Sequence, residues 1–124
     1  TEDGANLLAG YRRASNIVTA EEKKDGPAIS YEGEPEPKLA EQEEERALFA
    51  ALDAAAPAID RALKAEDFTA AMAEMAKLRA PVDAFFDAVL VNAENPIVRR
   101  NRLCLLNRVR AVMSRVAVWE RIEG

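Results

Sequence analysis

Apolar residues recur at intervals of three and four along most of this 124-residue chain, which is the spacing of one face of an α-helix. A first helix is predicted from Asp3 or Gly4 to about Glu22. Its apolar stripe comprises Leu7, Tyr11, Ala14 and Val18. The polar side chains that face away from this stripe are Arg12, Arg13 and Asn16.

Two further apolar stripes follow in the middle of the chain. The second helix carries Leu48, Leu52, Ala55, Ile59 and Leu63. Pro57 lies inside this stripe, and because proline lacks a backbone N–H, we expect it to kink the helix or divide it in two. Asp67 is the predicted N-cap of a third helix. The stripe of that helix is Phe68, Met72, Met75 and Leu78, in which we interpret the two methionines as core residues.

Proline marks the start of the last two predicted helices. Pro81 should end the third helix and begin the fourth, since proline is favoured in a first helical turn. The buried face of the fourth helix is Val82, Phe85, Phe86 and Val89. Asn95 is a good capping residue, and with Pro96 it opens the longest helix of the chain.

The last helix has an apolar face with one charged residue inside it. At 100° per residue, this face comprises Val98, Leu105, Val109, Val112 and Val116, with Trp119 expected to cover the end of the bundle. Arg102 falls within the same face, where an unpaired guanidinium would be prohibitively costly. Asp83 and Asp87 on the preceding helix are the candidate partners. We therefore predict an Asp87–Arg102 ion pair that fastens the last two helices together.

The stretch between the first and second helices has a different composition. Residues 23–38 form a predicted connector, because glycine and proline interrupt any regular element and acidic side chains dominate. We expect this connector to be partly mobile, with a helix beginning near residues 37–41. The chain is thus predicted to be a single domain of residues 1–124, an all-α bundle of about five helices with an acidic connector after the first.

Composition narrows the possible classes of function. The chain contains no histidine, one cysteine and five glycines, and no glycine-rich phosphate loop. We therefore expect neither catalytic residues nor a metal site, and we interpret Cys104 as a small helix residue rather than a nucleophile. A lone cysteine excludes an internal disulfide and is compatible with a cytoplasmic location. No apolar run has the length of a membrane span.

The distribution of charge is uneven. The net charge of −5 argues against non-specific coating of nucleic acid. Residues 1–66 hold 8 basic and 15 acidic side chains, however, whereas residues 67–124 hold 9 and 7. Arg99 and Arg100 lie in the first turn of the last helix, where the helix dipole disfavours cations, so a role besides stability is indicated. A local RNA contact built from arginines fits this pattern.

Two stretches carry a resemblance to a known family. The run VDAFFDAVLV (residues 82–91), followed after a short polar loop by R-x-x-R-L-x-L-L (residues 99–106), resembles the DALR-type anticodon-binding domain of aminoacyl-tRNA synthetases. Within that group the chain looks most like the C-terminal end of the bacterial glycyl-tRNA synthetase beta subunit. The likeness extends to EDGANLLAGYRRASNI (residues 2–17), which resembles a helix of that subunit.

This resemblance implies a helical domain that recognises the anticodon arm of tRNA(Gly), as a fragment of a glycine–tRNA ligase without a catalytic site of its own. The residues expected to contact RNA are Arg12, Arg13, Asn16, Asn92, Arg99 and Arg100. The implied partners are tRNA(Gly), the remainder of the beta subunit and the alpha subunit, with no membrane and no DNA. No cofactor is expected in this chain, since the resemblance implies that ATP and magnesium act at the catalytic alpha subunit.

Two alternatives stay open at this point. A helical protein–protein docking module fits the acidic charge and the alanine-rich composition equally well. The equivalent domain of an arginyl-tRNA synthetase is the nearest related interpretation, although the EDGANLL opening favours the glycyl version. A positive cleft between the first and last helices would favour RNA, whereas a broad apolar patch away from the arginines would favour docking.

Overall fold

The computed structural model describes the backbone of residues 2–123 and the side chains of residues 4–115. Within that range the chain forms five α-helices and no β-strand. The helices are α1 (Glu2–Asp25), α2 (Glu43–Lys64), α3 (Phe68–Ala76), α4 (Arg79–Ala88) and α5 (Pro96–Glu123). The predicted all-α bundle of about five helices is therefore confirmed. None of the described helices is long and apolar enough to cross a membrane.

Polar caps set several helix ends. The Asp67 carboxylate accepts a hydrogen bond from a backbone N–H of α3 at 3.1 Å, so its predicted role as N-cap is confirmed. Asn95 Oδ1 likewise accepts from the N–H groups of Ile97 and Val98 at the start of α5. Gly26 follows the end of α1 with a φ of 107°, a left-handed conformation that favours glycine.

The prolines act differently from expectation at two places. α4 begins at Arg79, two residues before the expected start at Pro81. Pro81 still lies in the first turn of the helix, where the N–H groups have no intrahelical partner, so its missing donor costs no hydrogen bond. α2 continues through Pro57 as one helix, and the expected division into two does not occur.

The hydrophobic core forms where the stripes of the helices meet. α5 packs mainly on α1, and α2 packs on α3 and α4. The fully buried large side chains of this core include Leu7, Leu48, Leu52, Ile59, Met75, Leu78, Phe85, Leu103, Leu105 and Leu106. Met75 is thus a core residue as predicted, and Met72 packs at the edge of the core. Phe68 is 45% exposed, contrary to prediction, because it occupies the first position of α3.

α1 and α5 run antiparallel. Arg99, near the start of α5, contacts Glu21 and Asp25 at the end of α1, while Met113 packs beside Gly10. Residues 101–106 are all buried, so this part of α5 passes through the middle of the bundle instead of covering one side of it. The expectations for Val116 and Trp119 concern side chains outside the described residues.

The connector joins α1 to α2 over residues 26–42. It is displaced from the predicted range of 23–38 because α1 continues to Asp25 and α2 begins at Glu43. It contains one 3-10 turn, Pro37–Leu39. Tyr31 in the connector is 2% exposed and belongs to the hydrophobic core. The connector is therefore attached to the bundle by a buried aromatic side chain.

Candidate nucleic-acid interface

The buried arginine of α5 is paired with a carboxylate of α2. Arg102 is 4% exposed, and its Nη2 lies 2.8 Å from Oε1 of Glu45, a residue that is 0% exposed. Nη2 also lies 3.4 Å from Glu41 Oε1, and Nη1 donates to the backbone carbonyl of Leu90 at 2.8 Å. Arg102 thereby joins the start of α2 and the loop after α4 to the second turn of α5.

This arrangement corrects the predicted Asp87–Arg102 ion pair. Asp87 is exposed on α4 and makes no ion pair among the described residues, whereas Arg102 pairs with Glu45. Glu45 is better placed because it lies in the first turn of α2, where its Oε1 also accepts the N–H groups of Glu41 and Gln42 at 3.1 Å. The carboxylate therefore caps the helix and neutralises the guanidinium at the same time.

Arg99 is occupied by a second polar network, which joins α1, the connector and the loop before α5. Its Nη2 lies 3.0 Å from Glu21 Oε1 and 2.9 Å from Asp25 Oδ2. Its Nη1 donates to the Tyr31 hydroxyl at 3.3 Å, and its Nε donates to Asn92 Oδ1 at 2.7 Å. The Tyr31 hydroxyl in turn donates to the Asp25 carboxylate. Every nitrogen of the guanidinium thus has a partner within the protein.

The electrostatics of this network follow from its hydrogen bonds. The hydrogen bond from Arg99 is the largest cause that holds the pKa of Glu21 below its ordinary value, and the Tyr31 hydroxyl does the same for the pKa of Asp25. The hydrogen bond with Glu21 raises the pKa of Arg99. Burial raises the pKa of the Tyr31 phenol. Lys24 Nζ also lies 3.4 Å from Glu21, so the two carboxylates and the two cations balance one another. The positive charge of Arg99 is therefore neutralised within the protein and offers little attraction for a phosphate.

Arg100 and Asn101, which follow Arg99 in α5, also contact the connector. The guanidinium carbon of Arg100 lies 5.8 Å from the centre of the Tyr31 ring. The Asn101 side chain, 4% exposed, accepts from the Glu36 N–H at 2.6 Å and donates to the Glu36 carbonyl at 3.0 Å. Residues 99–102 therefore fasten the connector and the start of α2 to α5, which is a structural role for the R-x-x-R part of the motif.

The predicted RNA-contacting residues of α1 lie on two sides of that helix. Arg13 places its guanidinium carbon 4.3 Å above the Phe86 ring, on the side that faces α4. Arg12 and Asn16 are exposed and make no ion pair or side-chain hydrogen bond among the described residues. At 100° per residue, Arg12 lies within about 20° of Thr19, which contacts Arg110 of α5. Arg12 therefore flanks the junction of α1 with α5, and Asn16 lies about 40° further round α1.

A groove of about 510 Å³ lies at this junction, and we call it the α1–α5 groove. It is lined by Tyr11, Ser15, Glu32, Asn107, Arg110, Ala111 and Ser114. Arg110 donates to Asn107 Oδ1 and lies 3.5 Å from the Thr19 hydroxyl, so part of its guanidinium is free for a ligand. Arg100 lies two helical turns before Asn107 on the same side of α5.

Arg110 is the cationic residue of this groove that the sequence did not reveal, and Glu32 of the connector was likewise not predicted. At 100° per residue, Arg110 is not aligned with Arg100 along α5. The spacing along α5 does not show that Ser15 and Thr19 of α1 lie close to Arg110. The antiparallel packing of α1 on α5 brings these hydroxyls and the guanidinium together. A signal was nevertheless present, since Ser15 and Thr19 follow Tyr11 at intervals of four on one side of α1.

Two other arginines of α5 are paired on the side that faces α2. Arg108 Nη2 lies 2.7 Å from Asp53 Oδ1, and Arg115 Nη2 lies 3.3 Å from Asp60 Oδ1. Both pairs join α5 to α2 across the bundle. Among the arginines of α5 whose side chains the structure describes, those available to a ligand are therefore Arg100 and Arg110, on the groove side.

This arrangement can bind a polyanion but offers little for catalysis. The groove and its flanks present guanidinium groups, hydroxyls and amides, which suit phosphate and base-edge contacts in single-stranded RNA. Among the described residues, no group of three or more side chains could hold a metal ion. Cys104 is buried, and its burial raises the pKa of the thiol. Deprotonation of this thiol is therefore disfavoured, which reduces its nucleophilic character.

Comparisons with known proteins identify a matching family and several similar sequences. Residues 7–117 match the family of the DALR anticodon binding domain. The chain is 62% identical over 124 residues to the glycine–tRNA ligase beta subunit of Dinoroseobacter shibae. It is 57% and 54% identical, over the same 124 residues, to the proteins of that name from Cereibacter sphaeroides and Paracoccus denitrificans.

These relatives are much longer than the chain. Each alignment covers 100% of the chain but only 17% or 18% of the relative. The likeness therefore concerns one portion of a larger subunit.

Proposed function

The chain belongs to the DALR anticodon-binding domain family, and from this premise we propose that it recognises the anticodon arm of tRNA(Gly) within a glycine–tRNA ligase beta subunit. The glycine enzyme is favoured over the arginine enzyme because the relatives described above carry that name. The domain would hold the anticodon arm while the acceptor end of the tRNA reaches a catalytic site elsewhere. Its mechanism is recognition, without a chemical step of its own.

The observation that carries this proposal is the α1–α5 groove with guanidinium groups on both of its sides. Arg110 lines the groove from α5, Arg100 lies beside it, and Arg12 flanks it from α1. Arginine neutralises phosphates and can also stack on bases, so such a groove suits a single-stranded loop better than a rigid duplex. The set of RNA contacts that we propose is Arg12, Asn16, Arg100 and Arg110.

Three residues expected to contact RNA are left out of that set. Arg99 and Asn92 are bonded to each other within the network around Tyr31, and Arg13 lies over Phe86 on the α4 side of α1. Their places in the bundle separate them from the groove. Arg99 is a positioning residue in this proposal, because it holds the connector that forms one edge of the groove.

The proposal extends to the parent enzyme. The partners would be the remainder of the beta subunit and the catalytic alpha subunit, in the cytoplasm. ATP and magnesium would bind at that catalytic subunit and supply the activation of glycine. The residues of this chain would contribute tRNA affinity and orientation only.

A binding experiment tests the proposal. The affinity of this chain for tRNA(Gly), and for the same tRNA with altered anticodon bases, is measured across a salt series. Arg110→Ala, Arg100→Ala and Arg12→Ala should weaken binding, and each lost phosphate contact should reduce the salt slope by about 0.7–0.9. Arg115→Ala removes an arginine on the α2 side of α5 and is the matched control. Absence of tRNA binding at low salt would contradict the proposal.

Docking against the rest of the parent enzyme is a second proposal, at a surface separate from the groove. Leu90 is 66% exposed and Ile97 is 62% exposed, on either side of the loop between α4 and α5. Contact with another protein would remove the apolar surface of these two side chains from water. The two functions are compatible, since Leu90 and Ile97 do not line the α1–α5 groove. Leu90→Ser with Ile97→Ser should weaken association with the parent enzyme and leave tRNA affinity of this chain unchanged.

A further inference from the structure

The α1–α5 groove contains a carboxylate whose presence in a tRNA-binding surface needs an explanation. Glu32 lines the groove from the connector, together with Arg110 and Asn107 from α5. It is exposed, and its side chain makes no ion pair or hydrogen bond among the described residues. A carboxylate repels phosphate, so a surface that contacted only the RNA backbone would gain affinity without it.

The connector is attached to the bundle both before and after Glu32, which holds Glu32 at the edge of the groove. The preceding residue, Tyr31, is buried and bonded to Asp25 and Arg99. Four residues later, Glu36 is bonded through both its N–H and its carbonyl to the buried Asn101. Glu32 therefore projects from a short segment anchored at both ends, so the position of its backbone relative to α5 is fixed.

The lining of the groove combines hydrogen-bond donors with acceptors. Arg110 and the amide of Asn107 supply donors; Asn107 Oδ1 already accepts from Arg110, which leaves the Asn107 NH₂ group for a ligand. Glu32 supplies two acceptor oxygens. The Ser114 hydroxyl donates to the Ala111 carbonyl at 2.8 Å, so its lone pairs also face outward as acceptors. A ligand matched to this lining must itself present both donors and acceptors.

A nucleobase with an exocyclic amino group meets these requirements. Cytosine, adenine and guanine each present an amino donor beside ring or carbonyl acceptors, and glutamate is a recognised acceptor for the amino group of cytosine. Uracil lacks the amino group. The groove volume of about 510 Å³ is within the range of roughly 300–1,000 Å³ that small-ligand clefts occupy. Tyr11 in the lining adds an aromatic surface.

We propose that the α1–α5 groove receives one unstacked, amino-bearing base of the anticodon loop, and that Glu32 is the residue that selects it. Glu32 accepts a hydrogen bond from the exocyclic amino group, while Arg110 and Asn107 donate to the acceptors of the same base. This inference rests on the proposed function, because it names the base-reading part of the same tRNA surface. Glu32 thereby lowers the affinity of the groove for the phosphate backbone, but it allows the groove to discriminate against uracil.

The test combines protein variants with single-base changes in the tRNA. Each amino-bearing base of the anticodon loop is changed in turn to a base without that amino group: cytosine to uracil, and adenine or guanine to inosine. Binding of this chain to each tRNA is measured for the unchanged protein, Glu32→Ala and Glu32→Gln. Glu34→Ala removes another exposed carboxylate of the connector, outside the groove lining, and is the matched control.

The expected result is a specific coupling between Glu32 and one base. At one loop position, loss of the amino group should weaken binding of the unchanged protein by about tenfold to a hundredfold. Glu32→Ala should abolish that difference, because its side chain no longer accepts from the base. Glu32→Gln should retain part of the difference, since its amide still has an acceptor oxygen. Glu34→Ala should leave the difference intact.

Three results would overturn the inference, and they are distinguishable. If Glu32→Ala and Glu32→Gln strengthened binding to all the tRNAs equally, Glu32 would act only by repelling phosphate, and the inference alone would fail. If the unchanged protein bound none of the tRNAs, the proposed function would fail together with it. A base preference that persisted in Glu32→Ala would likewise place the discrimination outside Glu32.

Discussion

Arg102 Nη2 lies 2.8 Å from Glu45 Oε1, and the two side chains are 5% and 0% exposed. The pair joins α2 to α5 through two residues that are 57 positions apart in the chain. Glu45 Oε1 also accepts the N–H groups of Glu41 and Gln42. Arg102 also donates to the carbonyl of Leu90. One buried ion pair therefore sets the start of α2 and the loop before α5 relative to each other.

Breaking this pair should destabilise the protein strongly. Arg102→Met keeps the length of the side chain but leaves the Glu45 carboxylate buried without its counter-charge. The free energy of unfolding should fall by about 3–5 kcal/mol, the usual cost of removing one partner from a buried pair. Urea denaturation followed by circular dichroism measures this change.

Asp87→Ala is the control for the Arg102 variant. Because Asp87 is exposed and makes no ion pair among the described residues, its loss should change the stability by less than about 0.5 kcal/mol. A large effect of Asp87→Ala with a small effect of Arg102→Met would contradict the assignment of Glu45 as the partner.

The amide of Asn101 should be the main attachment of the second half of the connector. Asn101→Ala removes two hydrogen bonds to the backbone of Glu36, so the free energy of unfolding should fall by about 1–3 kcal/mol. The connector should also become more open to limited proteolysis within residues 26–42. Asn16→Ala, at an exposed position of α1, is the matched control and should leave the cleavage rate unchanged.

The sequence predicted local features of the fold well because their signals are local. Asp67 and Asn95 cap the helices that they were expected to cap, since a cap depends on backbone groups within three residues. Burial of Arg102 also followed from its position in an apolar face. Its partner did not, because the choice between Asp87 and Glu45 depends on how α2 packs against α5, which spacing along one helix does not show.

The candidate site could be predicted only in part, because it too depends on how distant helices pack together. Arg12 and Arg100 were expected to contact RNA because of their positions on α1 and α5; both lie near the groove, and their contact with RNA stays a prediction. Arg99 was assigned to RNA because the helix dipole disfavours it, but Glu21 and Asp25 at the end of α1 offset that disadvantage. Those carboxylates are more than 70 residues away in the chain, so their proximity is a property of the fold.

The network around Arg99 should make the stability depend on acid pH. Glu21 and Asp25 have pKa values below their ordinary values of 4.5 and 3.8, through the hydrogen bonds from Arg99 and Tyr31 respectively. Protons therefore bind more tightly to these groups in the unfolded state. Their contribution to stability is fully present above the ordinary pKa values and is lost as the pH falls through the lowered values of the folded protein.

The test is a series of urea denaturation curves from pH 7 to pH 2. Glu21→Gln should be less stable than the unchanged protein at pH 7 and should lose less stability on acidification, so that the two curves of stability against pH converge at low pH. Glu34→Gln, which removes an exposed carboxylate of the connector, is the matched control. Parallel curves for Glu21→Gln and the unchanged protein would contradict the role of this hydrogen bond.

Arg99 and Arg110 should differ in how their loss affects RNA binding, although both are arginines of α5. Arg99→Ala leaves the partly buried Glu21 and Asp25 without their counter-charge, so the free energy of unfolding should fall by about 1–3 kcal/mol. Arg110 makes no ion pair among the described residues, and Arg110→Ala should change stability less. For tRNA binding we expect the opposite, with the larger effect from Arg110→Ala.

Arg110→Ala should reduce the salt slope of tRNA binding by about 0.7–0.9, as expected for one lost phosphate contact, whereas Arg99→Ala should leave the slope unchanged while the protein is folded. The free energy of unfolding and the salt slope, measured at a temperature where both variants are folded, together separate a residue that positions the groove from one that contacts the RNA. A reduced salt slope for Arg99→Ala, with stability unchanged, would return Arg99 to the RNA-contacting set.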